Sequence, residues 1–525
     1  MSSKSFQNAS KLNGIVSVLQ FGADPTGATD STLQIQAALN TGKAVHIPVG
    51  TYKVTNALTC STPGQSIFGD GRTATVISVP ATFNLSALGV FVCTSGEHGP
   101  QWQNLRIIFA QPDTASRAAL IAYPPAIYAQ ATPRFTVIDC SIVNAIVGID
   151  MKLNSGGATI ELLEMSAYSI GIDIDGSLDS VKISKFHYWP FGLTANQQII
   201  FQDTNNIGLK SGRCDDINIS GCLFWCGGKQ MYFFNSITGI GGTTFGNIVN
   251  TDFDNQGSIV IDGGNLNISN CFFTIGVNYV QALKVTNGFV RVSNCQFENN
   301  IQLLNQMIEV SAASAATPYV QIQNCLFRTT ADTAIILARK LGATGFSTLV
   351  FCNNQIIANP NLSNINTIVD IQTSSRLTFI GNRFSDKGTG SGQALSVIED
   401  NLHVISNNNF AGWEFVLPAT LQSTIALNNG SINPNDFASG FLIGNQKTKR
   451  ITSTLNGSGN ITIAHGISAA QQKVLLAQAY YRGSSGEMAP LQITAIDGVD
   501  VIATGGIASA ACRITLFYSE TQQGW

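Results

Sequence analysis

Asp252 and Asp254 flank Phe253, and on an extended strand that spacing puts both carboxylates on one face with their Cα atoms about 6.6 Å apart. Carboxyl groups roughly 6.5 to 9.5 Å apart suit an inverting glycosidase, in which one protonates the leaving oxygen and the other activates water. A neighbouring carboxylate raises the pKa of the acid, so one of Asp252 and Asp254 is expected as general acid, with the other or Glu298 as base. Aromatic side chains occur on the same side: Tyr168, His187 with Trp189, Trp225 and Phe272 are read as outward, and flat rings of this kind stack on pyranose faces. Asp215 and Asp216 form a reserve pair of which only one can face the groove, because adjacent strand residues point to opposite sides. Glu164 belongs to a further acidic stretch with Glu161, Asp173 and Asp175. A lyase would instead need a base and a cation, for which His187 with Lys185 or Lys210 are the candidates, but these basic residues are scattered.

The elements that position these residues form a repeat. Ile217-Asn-Ile-Ser-Gly-Cys-Leu-Phe224, Leu266-Asn-Ile-Ser-Asn-Cys-Phe-Phe273, Val290-Arg-Val-Ser-Asn-Cys-Gln-Phe297 and Val320-Gln-Ile-Gln-Asn-Cys-Leu-Phe327 share one pattern, with a shorter copy at Val137 and weaker ones at Asn353, Asn382 and Asn408. The pattern alternates apolar and polar residues with period two and breaks at Asn, as a strand, a corner and a second strand would. Copies recur every 24 to 30 residues, the length of one solenoid coil whose turns stack about 4.8 Å apart. Stacking places Cys140, Cys222, Cys271, Cys295 and Cys325 in one interior column and Phe224, Phe273, Phe297 and Phe327 in another, with the thiols acting as small core residues. Residues at odd offsets after the Cys then face outward. Where the Cys is missing, Met165 is taken for its position, which puts Ser166 and Tyr168 outside.

A solenoid exposes strand edges at both ends unless they are covered. Asp30-Ser-Thr-Leu-Gln-Ile-Gln-Ala-Ala-Leu39 has capping residues followed by helix-compatible sequence and is expected to lie across the first opening. The run Val18-Leu-Gln-Phe-Gly-Ala-Asp-Pro-Thr-Gly-Ala-Thr-Asp30, this helix, and Val45-His-Ile-Pro-Val-Gly-Thr-Tyr-Lys-Val54 resemble the entry motif of pectate-lyase-like β-helix proteins, including many bacteriophage tailspikes. The motif covers about forty residues, and the rung pattern extends the resemblance to roughly residue 440. The fold class expected is therefore all-β: a right-handed parallel β-helix solenoid with a short capping helix. Residues 1–16 read as an arm, 17–60 as the entry with its helix, and 61–443 as the glycan-binding and catalytic coil. Residues 444–525 lose the rung motif and alternate apolar and polar residues between Gly/Ser turns, reading as a C-terminal β-sandwich.

The resemblance implies a virion tail protein that recognises bacterial surface polysaccharide, either O-antigen or capsule, forms a homotrimer and meets other virion tail proteins. In the resembled hydrolases, outward Asp/Glu clusters supply acid and base. The superfamily also contains lyases and plain binders, so endo-glycosidic hydrolysis, polysaccharide lysis and non-catalytic adhesion all stay open. About fifteen residues precede the entry motif, so either attachment through another spike or adaptor is expected, or the sequence is a trimmed piece of a longer chain.

Composition narrows the rest. Charged residues make up 11% of the 525, against about 25% in an average soluble protein, and the net charge is -3, which leaves no basic stripe for nucleic acid. There is no long apolar run for membrane insertion, and the first residues lack the basic head and apolar stretch of a secretory signal. Eleven cysteines show neither a CxxC pair nor zinc spacing, so neither metal nor cofactor is expected.

Overall fold

The computed structural model describes residues 14–520 except 95, 97, 238–240, 255–256, 276–280, 300–306, 313–315, 330–335, 341–346, 359–366, 372–374, 386–392, 398–402, 412–413, 417–424, 428–440, 444–445, 465–471, 483–487, 497–499 and 505–509. Most of the expected N-terminal arm, and the expected boundary at 444, lie outside the described residues.

The chain winds as a right-handed parallel β-helix with three faces. Face A is a 16-stranded parallel sheet running from Ile15–Ser17 to Ile425–Leu427. Faces B and C follow it in each coil. They join into one 26-stranded sheet because Ser141–Lys152 and Glu164–Asp175 run unbroken round the corner and pair on both sides. The alternating pattern sets the register. On face A, Ile160, Ile183, Ile219, Ile248, Ile268, Val292 and Ile322 are successive partners and all point inward, burying an apolar column.

The corner between faces A and B explains the repeated Asn. Asn250, Asn270, Asn294, Asn324, Asn353 and Asn407 all have φ between 50° and 56°, a left-handed conformation that Asn tolerates better than other side chains. After the corner comes the Cys column, whose role exceeds the filling expected of it. The Cys271 N–H donates to Cys295 Sγ at 3.4 Å, Cys295 N–H to Cys325 Sγ at 3.4 Å, and Cys325 N–H to Asn354 Oδ1 at 2.9 Å. Asn382 and Asn408 continue the ladder, with N–H to Oδ1 distances of 3.0 and 2.9 Å. The column therefore supplies an acceptor to a buried N–H at each step, which would cost about 1–3 kcal/mol if left unmet.

One residue further inside, Phe224, Phe253, Phe273, Phe297 and Phe327 stack at centroid spacings of 5.7, 4.8, 4.5 and 4.9 Å. The first opening is covered as expected by the Thr32–Leu39 helix, which buries Ile35, Ala38 and Leu39 against the coil. Asp30 Oδ1 accepts its Thr32 N–H at 3.1 Å. From Phe441 onward, strands turn antiparallel and join in one seven-stranded sheet. The strand Met488–Ile496 pairs with Gln472–Arg482 by its first half and with Asp500–Thr504 by its second. A second packed layer, as the expected sandwich requires, is not seen among the described residues.

Candidate functional site

Face B places most of the expected groove residues in one outward row. Glu164, His187, Leu223, Asp252, Phe272 and Gln296 are successive register partners. The next outward position carries Trp189, Trp225, Asp254, Thr274 and Glu298. From His187 onward each outward residue is held by an inward neighbour in the aromatic column, as Phe253 is between Asp252 and Asp254, whereas Glu164 has Met165 in that place.

Tyr168 is a correction. Glu164 pairs with His187 and Met165 with Tyr188, so Leu163 and not Met165 occupies the Cys position. Register irregularities between Ile142 and Val147 displace the count further along that strand. Tyr168 is fully buried, and its hydroxyl donates to Asn144 Oδ1 at 2.9 Å, so it belongs to the core and Glu164 takes the groove position. Ser166 is buried as well, donating to the Phe191 carbonyl.

One side of the groove is an aromatic wall. Trp189 and Trp225 lie 5.0 Å apart, Trp225 stacks on Phe201 of the Ala195–Phe201 helix at 6.2 Å, and His187 meets Phe191 edge-on at 4.8 Å. A second insertion braces that helix. Arg117 Nη2 and Nε donate to the two Asp203 carboxylate oxygens at 2.6 and 2.8 Å, Thr194 Oγ1 donates to Asp113 Oδ1 at 2.6 Å, and Gln197 Nε2 donates to the Pro112 carbonyl at 3.0 Å. At the corner before the groove, Arg72 bridges Asp139 at 3.3 Å and Glu164 at 3.1 Å. Burial lowers the His187 pKa, with Glu164 pulling the other way, so the imidazole is neutral at pH 7.

The carboxylates differ in surroundings. Asp252 is exposed at its end of the strand, yet partial desolvation and then the charge of Asp254 raise its pKa. Asp254 Oδ1 accepts the Thr274 hydroxyl at 3.0 Å. Glu298 accepts from Gln296 Nε2 at 2.6 Å and pairs with Arg328 at 2.9 Å, two rungs from Asp254 and about 10 Å away by sheet spacing. The reserve pair does not reach this face. Asp215 and Asp216 sit at the turn leading into face A, where Arg213 Nε and Nη2 grip Asp215 at 3.0 and 3.2 Å. Lys210, one of the lyase cations, projects from face C, and Lys185 pairs with Glu161 at 3.1 Å.

Face C joins Asp173, of the acidic stretch around Glu164, to a partner that the sequence pattern does not single out, Asp150. Asp150 and Asp173 are direct register partners on adjacent rungs. Lys152 Nζ lies 3.3 Å from Asp150 and 3.1 Å from Asp173, and Lys210 Nζ lies 3.5 Å from Asp173. Burial raises the Asp150 pKa against the opposing charge of Lys152. The only sequence signal is the recurrence of Ile-Asp at Ile149-Asp150 and Ile172-Asp173, which falls outside the Asn-Cys pattern used to set the register. Among the described residues no group of three or more His, Cys, Asp or Glu side chains could hold a metal ion. No described helix is long and apolar enough to cross a membrane.

Residues 15–271 match the family described as rhamnogalacturonase A/epimerase, pectate lyase-like. No curated protein sequence matches the chain. Among solved structures, the chain is similar to a mutant tailspike protein of E. coli bacteriophage HK620 in complex with a pentasaccharide. The TM-score is 0.58 and the identity 12%, over 98% of this chain and 94% of that one. The tailspike protein gp49 of Pseudomonas phage LKA1 aligns over 97% and 100% at 12% identity, with a TM-score of 0.44. The catalytic unit of a GH87 α-1,3-glucanase from Streptomyces thermodiastaticus aligns over 80% and 69% at 15% identity, with a TM-score of 0.40. At these identities the likeness concerns the fold.

Proposed function

We propose that the chain is a phage tailspike that binds a bacterial surface polysaccharide, O-antigen or capsule, and hydrolyses its backbone. In this reading it acts as a homotrimer on the virion tail, together with other tail proteins. The observation that carries the reading is the outward pair Asp252 and Asp254 beside the wall of Trp189 and Trp225. Likeness in fold to a tailspike in complex with a pentasaccharide supports the substrate class. Asp252, with its raised pKa, delivers its proton to the glycosidic oxygen as the bond to the anomeric carbon breaks. Asp254 or Glu298 takes a proton from the water whose oxygen attacks the opposite side of that carbon. One water is consumed and one new reducing end appears per cut. Trp189, Trp225 and Phe272 offer ring faces to the sugars, and His187 offers a neutral ring nitrogen.

A second assignment within the same function rests on face C. Asp150 and Asp173 are only one rung apart, about 4.8 Å between Cα atoms, and Asp150 has the raised pKa an acid needs. The deciding experiment incubates the protein with polysaccharides from a bacterial panel and assays new reducing ends for wild type, Asp252→Asn, Asp254→Asn, Asp150→Asn and Asp173→Asn. Loss of cutting in the first two variants places the chemistry on face B, and loss in the last two places it on face C. Products absorbing in the ultraviolet would mean a lyase. Binding without cutting would mean an adhesin.

A further inference from the structure

Face A of the same rungs carries a separate constellation. Phe245, Asn265, Phe289 and Tyr319 are successive partners in one outward column, and Phe245 is 45% exposed. In the neighbouring outward column Asn218, Asn247, Asn267 and Arg291 are partners. Asn247 Nδ2 donates to Asn218 Oδ1 at 3.2 Å, and Asn267 Nδ2 donates to Asn247 Oδ1 at 3.1 Å. The Arg291 guanidinium sits 4.4 Å over the Phe289 ring, which stacks on Tyr319 at 4.6 Å. Asp216, Phe245, Asn247, Asn267, Phe289 and Arg291 line one cleft.

The chemistry of this lining matches a sugar better than an apolar partner. A carboxamide has two N–H donors and an oxygen with two lone pairs. The ladder uses one donor each of Asn247 and Asn267, and Arg291 Nη1 donates to Asn267 Oδ1 at 3.5 Å, which leaves the second amide N–H of each Asn, a second lone pair on each oxygen and the other guanidinium N–H groups, and vicinal hydroxyls are complementary to them. An exposed Phe ring accepts the C–H face of a pyranose, and Arg291 is pinned in place by its own aromatic support. A protein helix would bring an apolar stripe to a surface that is half amide. We propose that this cleft is a second, non-cleaving glycan-binding site, which holds a pyranose of the polysaccharide with its apolar face on Phe245 and its hydroxyls on Asn247, Asn267 and Arg291. This rests on the reading of the chain as polysaccharide-binding. Such a site would keep a long polymer attached while the catalytic face releases fragments.

The test uses the full chain silenced by whichever of Asp252→Asn and Asp150→Asn stops cutting, on an array of purified capsular and O-antigen polysaccharides. Adding Phe245→Ala, Asn267→Ala and Arg291→Ala together should lower retention on the bound polymer about tenfold or more, from one lost ring contact and several lost hydrogen bonds. Should that variant unfold, Phe245→Ser at its exposed position carries the comparison. Unchanged retention, with Trp189→Ala and Trp225→Ala reducing it, overturns the second site and leaves the proposed function standing. A fall in retention accompanied by a smaller assembly in light scattering overturns it as well, assigning face A to a second copy of this chain. If the unsubstituted chain neither retains nor cuts any polymer, the polysaccharide reading fails first and this site with it.

Discussion

Replacing Phe297 by Ala probes the link between the core column and the outward row. Phe297 is fully buried and lies nearly parallel to both neighbours, at 3° to Phe273 and 7° to Phe327. Truncating a buried Phe costs about 3–5 kcal/mol in transfer and cavity terms, and two ring pairs of about 0.5–1.5 kcal/mol each are lost with it. Phe297→Leu keeps most of the volume and loses only the ring pairs, so about 1–3 kcal/mol is expected. Long solenoids resist reversible unfolding, so the measurable quantity is the unfolding rate in concentrated guanidinium. If the stacked column forms late in folding, about 4 kcal/mol appears as roughly a thousandfold faster unfolding for the Ala variant, and the Leu variant falls between it and wild type. Gln296 and Glu298 flank this position, so the geometry of the Glu298–Arg328 pair should loosen in step. An Ala variant that unfolds within threefold of the wild-type rate and folds in equal yield would refute the claim that the stack holds the rungs.

Asp252→Asn should lower the cutting rate by about 10² to 10⁴ at unchanged polymer binding, the usual contribution of a general acid, read as reducing ends per minute. Tyr168→Phe should leave glycan binding unaltered while costing about 0.5–1.5 kcal/mol through the lost bond to Asn144, visible as a lower Tm. His187 has a lowered folded pKa, so the folded state binds fewer protons than the unfolded chain, and stability is lost as pH falls below about 6.5. Unfolding should therefore be faster at pH 5.5 than at pH 7.5, and His187→Gln should shrink that difference. Cys295→Ala leaves the buried Cys271 N–H without its acceptor and should cost about 1–3 kcal/mol, whereas Cys325→Asn, copying Asn354, should fold with the ladder intact.

The coil was legible because its signal repeats. Each Asn-Cys-x-Phe copy carries the same corner, the same acceptor and the same ring, and several such copies fix the register from Cys222 onward. The outward positions of Asp252, Asp254, Phe272 and Glu298 followed from counting along those copies. At Met165 the count failed for a physical reason: at this corner Leu162, with φ 53°, stands where other rungs have Asn and Leu163 where they have Cys, so the motif is absent, and a register irregularity follows. Face C was illegible for a related reason. The strands that carry Asp150 and Asp173 run on from face B, and the register irregularities between Ile142 and Val147 break the alternation, so a count of odd and even offsets from the corner does not hold as far as face C. The role of the Cys column as a hydrogen-bond ladder needed the coordinates, because a small buried residue and an acceptor look alike in sequence.

The two insertions beside face B are fastened mainly to each other. Arg117, Asp113 and Pro112 from one strap hold Asp203, Thr194 and Gln197 of the other across more than 80 positions of sequence. The coil beneath repeats one plan, whereas this strapped pair has a plan of its own. In a lineage pressed to follow a changing surface sugar, the pair can be recast as a unit, both straps altering together, while the rungs that carry them stay as they are.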